Sequence, residues 1–187
     1  MTIVVLIGLA AVIGWVIVGY NRLVRLRNQV ANAWKQIDVQ LKRRHDLIPN
    51  LVAAVKGALE FEQDTLEKVT EARGRAISAR GVEQSAAAEK ELTQALHRLV
   101  AVVEKYPDLS GSANVLRLQE ELTTTENQIG FSRQHYNDVA MRFNTLQEVF
   151  PDNAIASVFA FERADLFSAD ESDRVTPRVD LSLRPES

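Results

Sequence analysis

The run TIVVLIGLAAVIGWVIVGY, Thr2 to Tyr20, which passes without glycine or proline into NRLVRLRNQVANAWKQIDVQLKRR, Asn21 to Arg44, decides the fold. No side chain from Thr2 to Tyr20 is charged. As a helix the run rises about 28 Å, close to the thickness of a hydrocarbon core. A secretory signal peptide is the rival reading, but it carries a basic first region, a shorter apolar core and a small-residue cleavage site, and none of these is evident. A buried core helix is disfavoured because the run is apolar on every face and stands at the terminus. The expectation is a retained transmembrane anchor over residues 1–21.

The flanks orient it, because Lys and Arg beside a span resist translocation. Only the terminal amine precedes the run, whereas Arg22, Arg25, Arg27, Lys35, Lys42, Arg43 and Arg44 follow it, and the first acidic side chain is Asp38. The body is expected in the cytoplasm and the N-terminus outside. Tyr20, Arg22, Arg25 and Arg27 are the candidate membrane-interface residues, since an amphipathic ring settles at the boundary and arginines reach for headgroups. The bilayer is thus the first expected partner. Anionic headgroups are a second, at about 1 kcal/mol per nearby cation, although the same arginines serve equally as plain topology determinants.

Composition bounds the remainder. A chain of 187 residues with 46% hydrophobic residues suffices for one domain plus an anchor. A net charge of -3 supplies no general basic field, so nucleic acid is not an expected partner. The absence of cysteine removes disulfides, thiolate metal sites and cysteine nucleophiles together. Few aromatics, glycines and prolines favour helix throughout.

After the span, Leu23, Leu26, Val30, Ala33, Ile37 and Gln40 or Leu41 keep alternating spacings of three and four, so one helix is expected to run from bilayer into body. At HDLIPN two readings stand: a proline kink in one very long helix, or a new helix capped by Asp46 with Pro49 in its first turn. The capping chemistry favours the new helix. It would continue through Ile48, Val52, Val55, Leu59, Leu66 and Val69 to about Arg80, with Gly81 as its stop. The next is expected from about Glu83 to Lys105, and YPDLSGSAN, Tyr106 to Asn114, reads as turn chemistry.

The most regular helix follows, from Val115 to Phe150. Its seam supplies the candidate core residues Leu118, Leu122, Ile129, Tyr136, Val139, Phe143 and Leu146, with Thr125 and Ser132 as close-packing interruptions. The expected fold is all-α: a transmembrane helix continuing into a long antiparallel four-helix bundle with coiled-coil-like packing. The domains are 1–21 anchor, 22–158 helical bundle and 159–187 extended tail. Phe159, Phe161 and Phe167 are too many aromatics for a solvated tail and are expected to pack on the bundle.

The stretch YNRLVRLRNQVANAWKQIDVQLKRRHDLIPNLVAAVKG, followed in order by TLEKVTEAR, LHRLVAVVEKYPDLS, LQEELTTTENQI and FPDNAIASVFAFE, resembles the LemA family from the anchor to about Asp180. The resemblance implies an N-terminal anchor, a cytoplasmic four-helix bundle and no established enzymatic activity. Its members include magnetosome-associated proteins, which suggests a membrane-organising role. The family often has glycine where Ala160 stands, and its basic-Val-Asp-Phe ending is Arg178, Val179, Asp180 and Leu181 here. The expected address is the cell membrane, the inner one of a bacterium, crossed once.

No phosphate loop, HExxH, EF-hand ladder or GxSxG occurs. His45, His97 and His135 have no second histidine at helical spacing, and Glu-x-x-His pairs are absent. Catalytic, cofactor and metal residues are therefore expected to be none. Glu60, Glu62, Glu120, Glu121 and Glu126 read as solvated helix faces, and Asn127, Asn137 and Asn144 as inter-helix hydrogen bonds. Two functions compete: a non-enzymatic scaffold that assembles with copies of itself, and an adaptor or sensor component of a membrane signalling or stress response. Ala10 and Gly14, at small-xxx-small spacing, favour the first.

Overall fold

The computed structural model describes residues 1–59 and 62–167. Glu60, the Arg178–Leu181 motif and the rest of the tail beyond residue 167 lie outside the described residues. The elements are α1 (Thr2–Lys56), α2 (Gln63–Ser78), α3 (Gly81–Val103), α4 (Pro107–Ser110), α5 (Ala113–Glu148) and α6 (Asp152–Val158). Among the described residues there is no strand.

One periodicity runs the length of α1 beyond its apolar start. Gly19, Leu23, Ala33, Ile37, Leu41, Arg44, Ile48, Leu51 and Val55 are buried, and Leu26 and Val30, half-buried, complete the same stripe. Helix α5 returns antiparallel along this stripe. Leu23 shares a core with Phe143 and Leu146, Ala33 and Ile37 with Tyr136 and Ile129, and Ile48 and Leu51 with Leu118 and Val115. The hairpin of α2 and α3 covers the far half, where Val69, Leu92 and Leu99, all at 0% exposure, join Leu51 and Val55 of α1. Side chains buried so fully stabilise by about 1.5–3 kcal/mol each, so this end is the stability centre of the body.

The structure decides against a new helix at Asp46, because α1 passes through Pro49 to Lys56 without a break. Proline at position 49 lacks the N–H that should bond to the carbonyl of His45. That carbonyl is not orphaned: Arg73 of α2 donates Nε to it at 2.7 Å. Pro49 itself is exposed, so its ring stays out of the buried stripe. A charged donor on a freed carbonyl is worth about 1.5–3 kcal/mol. Arg73→Met in the full-length protein is therefore expected to lower stability by about that amount. In the Pro49→Ala background, where the backbone N–H returns, the loss should be smaller; additive losses in urea unfolding would show that Arg73 does not compensate for the proline.

Other boundaries shift. The stripe read as continuous to Arg80 is broken after Lys56, and α2 starts only at Gln63. Gly81 opens α3 with φ +74° rather than closing α2, a left-handed conformation that costs glycine little. The Tyr106–Asn114 segment contains one helical turn, α4, with Pro107 at its start, where a missing N–H costs nothing.

Candidate membrane interface

From Thr2 to Val18, α1 is exposed apart from the partly covered Val16. It is the one helix among the described residues long and apolar enough to cross a membrane. Cover begins at Gly19, where a Cβ would collide with Cδ1 of Ile155 in α6. Glycine leaves the room that Ile155 occupies, and a larger residue there would have to displace that side chain. Tyr20 packs its ring at a tilt 4.8 Å from Phe159 and edge-on 5.8 Å from Phe161, and Arg22 pairs with Asp152 at 3.5 Å. Tyr20 and the side chain of Arg22 stay 37% and 61% exposed, and Arg25 and Arg27 are exposed. Arg27 holds its guanidinium 5.5 Å from the centre of the Phe161 ring.

Helix α6 ends in a left-handed turn. Ala160 has φ 50°, its N–H bonds to Ser157, and the N–H of Phe161 reaches back to Ala156. Such a terminus prefers glycine, and alanine there costs about 1–2 kcal/mol.

The chain then runs extended across the junction of α1 and α5, held by side-chain amides. Asn144 donates to the carbonyl of Ala164 and accepts from its N–H, both at 2.8 Å. Asn137 treats Phe167 in the same way, at 2.9 and 2.8 Å, and the Tyr136 hydroxyl donates to the carbonyl of Asp165. These asparagines therefore imitate a neighbouring strand instead of joining helices, while Asn127 is exposed. Burial first, and the nearby Asp165 second, raise the Tyr136 phenol above its ordinary pKa, which preserves it as a donor. Phe161 is half-buried and Phe167 buried against Trp34 and beneath Arg133, whose guanidinium lies 4.4 Å from its ring centre.

A second polar feature sits in the middle of the body. Glu89 of α3, with 1% of its side chain exposed, lies 2.6 Å from His45 Nε2 and 3.4 Å from Arg44 Nη1. Arg44 also donates to Thr93 at 2.9 Å and meets Glu126 at 3.8 Å. Burial lowers the pKa of Arg133, Glu89 opposes that shift, Arg44 adds to it and Glu126 opposes it again. Sequence reasoning missed this group by assigning Arg44 to the membrane flank. The signal was present: Arg44 falls on the buried stripe between Leu41 and Ile48, and Glu89 falls between Ala88 and Leu92 on the apolar face of α3.

Of the candidate core residues, Leu118, Ile129, Tyr136, Val139, Phe143 and Leu146 are buried and Leu122 is half-buried. Thr125 is buried and satisfies its hydroxyl on the carbonyl of Glu121. His97 and His135 are exposed on α3 and α5. No group of three His, Cys, Asp or Glu among the described residues could hold a metal ion.

The LemA family model matches residues 33–181. The chain belongs to the LemA family. The matched stretch begins on α1 beyond the apolar run and includes the Arg44–His45–Glu89 group, α6, and Asn137 and Asn144, which hold the segment after it. The LemA protein of Metamycoplasma hominis is 29% identical over 83% of this chain and 71% of its own length. Two magnetosome proteins are also similar: MamQ 2 of Paramagnetospirillum magneticum, 23% identical, and MamQ of Magnetospirillum gryphiswaldense, 22% identical. Each covers 99% of this chain and 79% of its own length, so the likeness takes in the apolar start of α1 that the LemA model leaves out.

Proposed function

We propose that this LemA protein is a single-pass, non-enzymatic scaffold that stands on the membrane as a four-helix bundle and assembles laterally with its own copies. The observation that carries the reading is α1 itself: one uninterrupted helix is both the apolar segment and a wall of the core. A shared helix leaves no flexible linker, so every copy is held at the same angle to the bilayer. Confinement to a plane raises effective concentration, so that weak lateral contacts suffice for closed assemblies. The relatives named as magnetosome proteins support a membrane-organising role. Light scattering of the full-length protein in mild detergent is expected to give a protein mass above the 20.9 kDa of one chain over a micromolar range. A monomer throughout that range would remove the main support for the scaffold.

Phe161 and Phe167 are engaged within their own chain, which leaves other faces for contacts between copies. Orientation rests on charge. Arg22, Arg25, Arg27, Lys35, Lys42 and Arg43 follow the span and are exposed, which favours a cytoplasmic body. A single cysteine at the exposed position of Glu162 is expected to resist an impermeant thiol reagent in intact cells and to react after lysis. Labelling before lysis would place the body on the other side.

A further inference from the structure

We propose that α6 and the turns flanking it form an apolar collar, made of Val149, Phe150, Val158 and Phe159, that lies in the acyl–headgroup boundary of the bilayer leaflet through which α1 leaves. Phe150 is 82% exposed, Val158 78%, Val149 51% and Phe159 48%. Two phenylalanines and two valines at one end of a small body form the kind of patch that marks an interaction surface. Their height along the long helix identifies what covers them.

The length of the span fixes that height. A helix needs about 20 apolar residues to cross a hydrocarbon core of about 30 Å. The uncharged run from Thr2 ends at Tyr20, and Arg22 is the first cation. The level of Gly19 and Tyr20 is therefore the membrane boundary. At that level Ile155 lies on Gly19, Phe159 packs against Tyr20 and Asp152 pairs with Arg22. Helix α6 cannot rest there without bringing its exposed neighbours to the same depth. An interfacial segment of this kind buries its apolar face about 5–10 Å into the boundary region. Val149 and Phe150 border the groove between α1 and α5, whose lining also includes the exposed Arg22, Arg25 and Arg142, with Asp138 and Asp152. Apolar residues with arginines beside them suit the acyl–headgroup boundary, where rings settle and arginine stems extend toward headgroups.

The collar rests on the reading of α1 as a span and is independent of whether copies assemble. The chain has no cysteine, so single-cysteine variants of the full-length protein place one probe at a time. Phe150→Cys and Val158→Cys test the collar. Val12→Cys serves as the probe inside the span, and Phe131→Cys, at a 73% exposed position on α5, as the probe in water. Phe131 stands roughly 25 Å from the end of α5 at 1.5 Å per residue. Each variant carries a nitrobenzoxadiazole label in vesicles of phosphatidylcholine and phosphatidylglycerol.

Labels at positions 150 and 158 are expected to shift to the blue and to lose emission to spin-labelled lipid, most strongly when the spin lies near the headgroup. Aqueous iodide should quench them far less than position 131. Emission and quenching like those of position 131 would overturn the collar. Shielding from iodide without quenching by lipid would overturn it equally, because another protein copy would then cover the patch. If position 12 also escapes the lipid quencher, the span itself fails and the collar with it. Quenching at position 12 without quenching at 150 and 158 separates loss of the collar from loss of the anchor.

Discussion

Glu89→Ala is expected to lower the stability of the full-length protein by about 3–5 kcal/mol, the cost of leaving a buried charge without its partner. Glu89 is 1% exposed and balances the charge of Arg44, which has 3% of its side chain exposed, while His45 Nε2 lies 2.6 Å from its other oxygen. Glu126 does not replace it, because its contact with Arg44 Nη2 is long, at 3.8 Å, and its own side chain is 46% exposed. Replacing both ends, as in Arg44→Met with Glu89→Leu, removes the two charges together and is expected to restore much of the loss, since apolar substitutes for buried pairs are often neutral or stabilising. Urea unfolding followed by circular dichroism in detergent provides the measurement. A loss within about 0.5 kcal/mol for Glu89→Ala, the range of surface changes, would show that the carboxylate does not hold the arginine in place.

Phe143→Ala is the second large effect, at about 3–5 kcal/mol for a fully buried aromatic. Phe143 is 2% exposed and shares a core with Leu23 of α1 and Ile155 and Ala156 of α6, while its ring lies 6.3 Å from Phe161 of the extended segment. One side chain thus joins the base of the long pair to the short helix resting on it. The loss should have a local signature: amides of residues 155–167 should exchange faster with deuterium than those around Val69 and Leu92, because the far core keeps all its contacts. Phe131→Ala, on the same helix and 73% exposed, should change stability by less than about 0.5 kcal/mol. Equal effects at the two positions would contradict the packing described here.

The two changes act on features that were unequally legible. The seam of α5 can be read from its spacing, since Leu118, Ile129, Tyr136, Val139, Phe143 and Leu146 recur at the helical period and all are buried. Leu122 follows the same spacing but is only half-buried. Periodicity states which side faces inward and leaves open how far a neighbour covers each turn. Arg44 and Glu89 occupied apolar stripes in plain view, yet a charge in such a stripe gains meaning only once its partner is known.

Helix, apolar run and buried face were determined by the sequence alone, because each depends on residues a few positions apart: an uncharged run from Thr2 to Tyr20, a stripe at spacings of three and four, and few helix breakers. The tertiary structure decided what depends on distant partners. Pro49 alone cannot reveal whether a helix ends, since the answer lies in Arg73, 28 residues away. The pairing of Arg44 with Glu89 spans 45 residues. Asp152 meets Arg22 across 130 residues, and only that return of the chain brings Phe150 and Val158 to the foot of the apolar helix. Local periodicity has no reach over such separations, because closing the chain back on itself is set by packing of the whole body and not by the preference of any one segment.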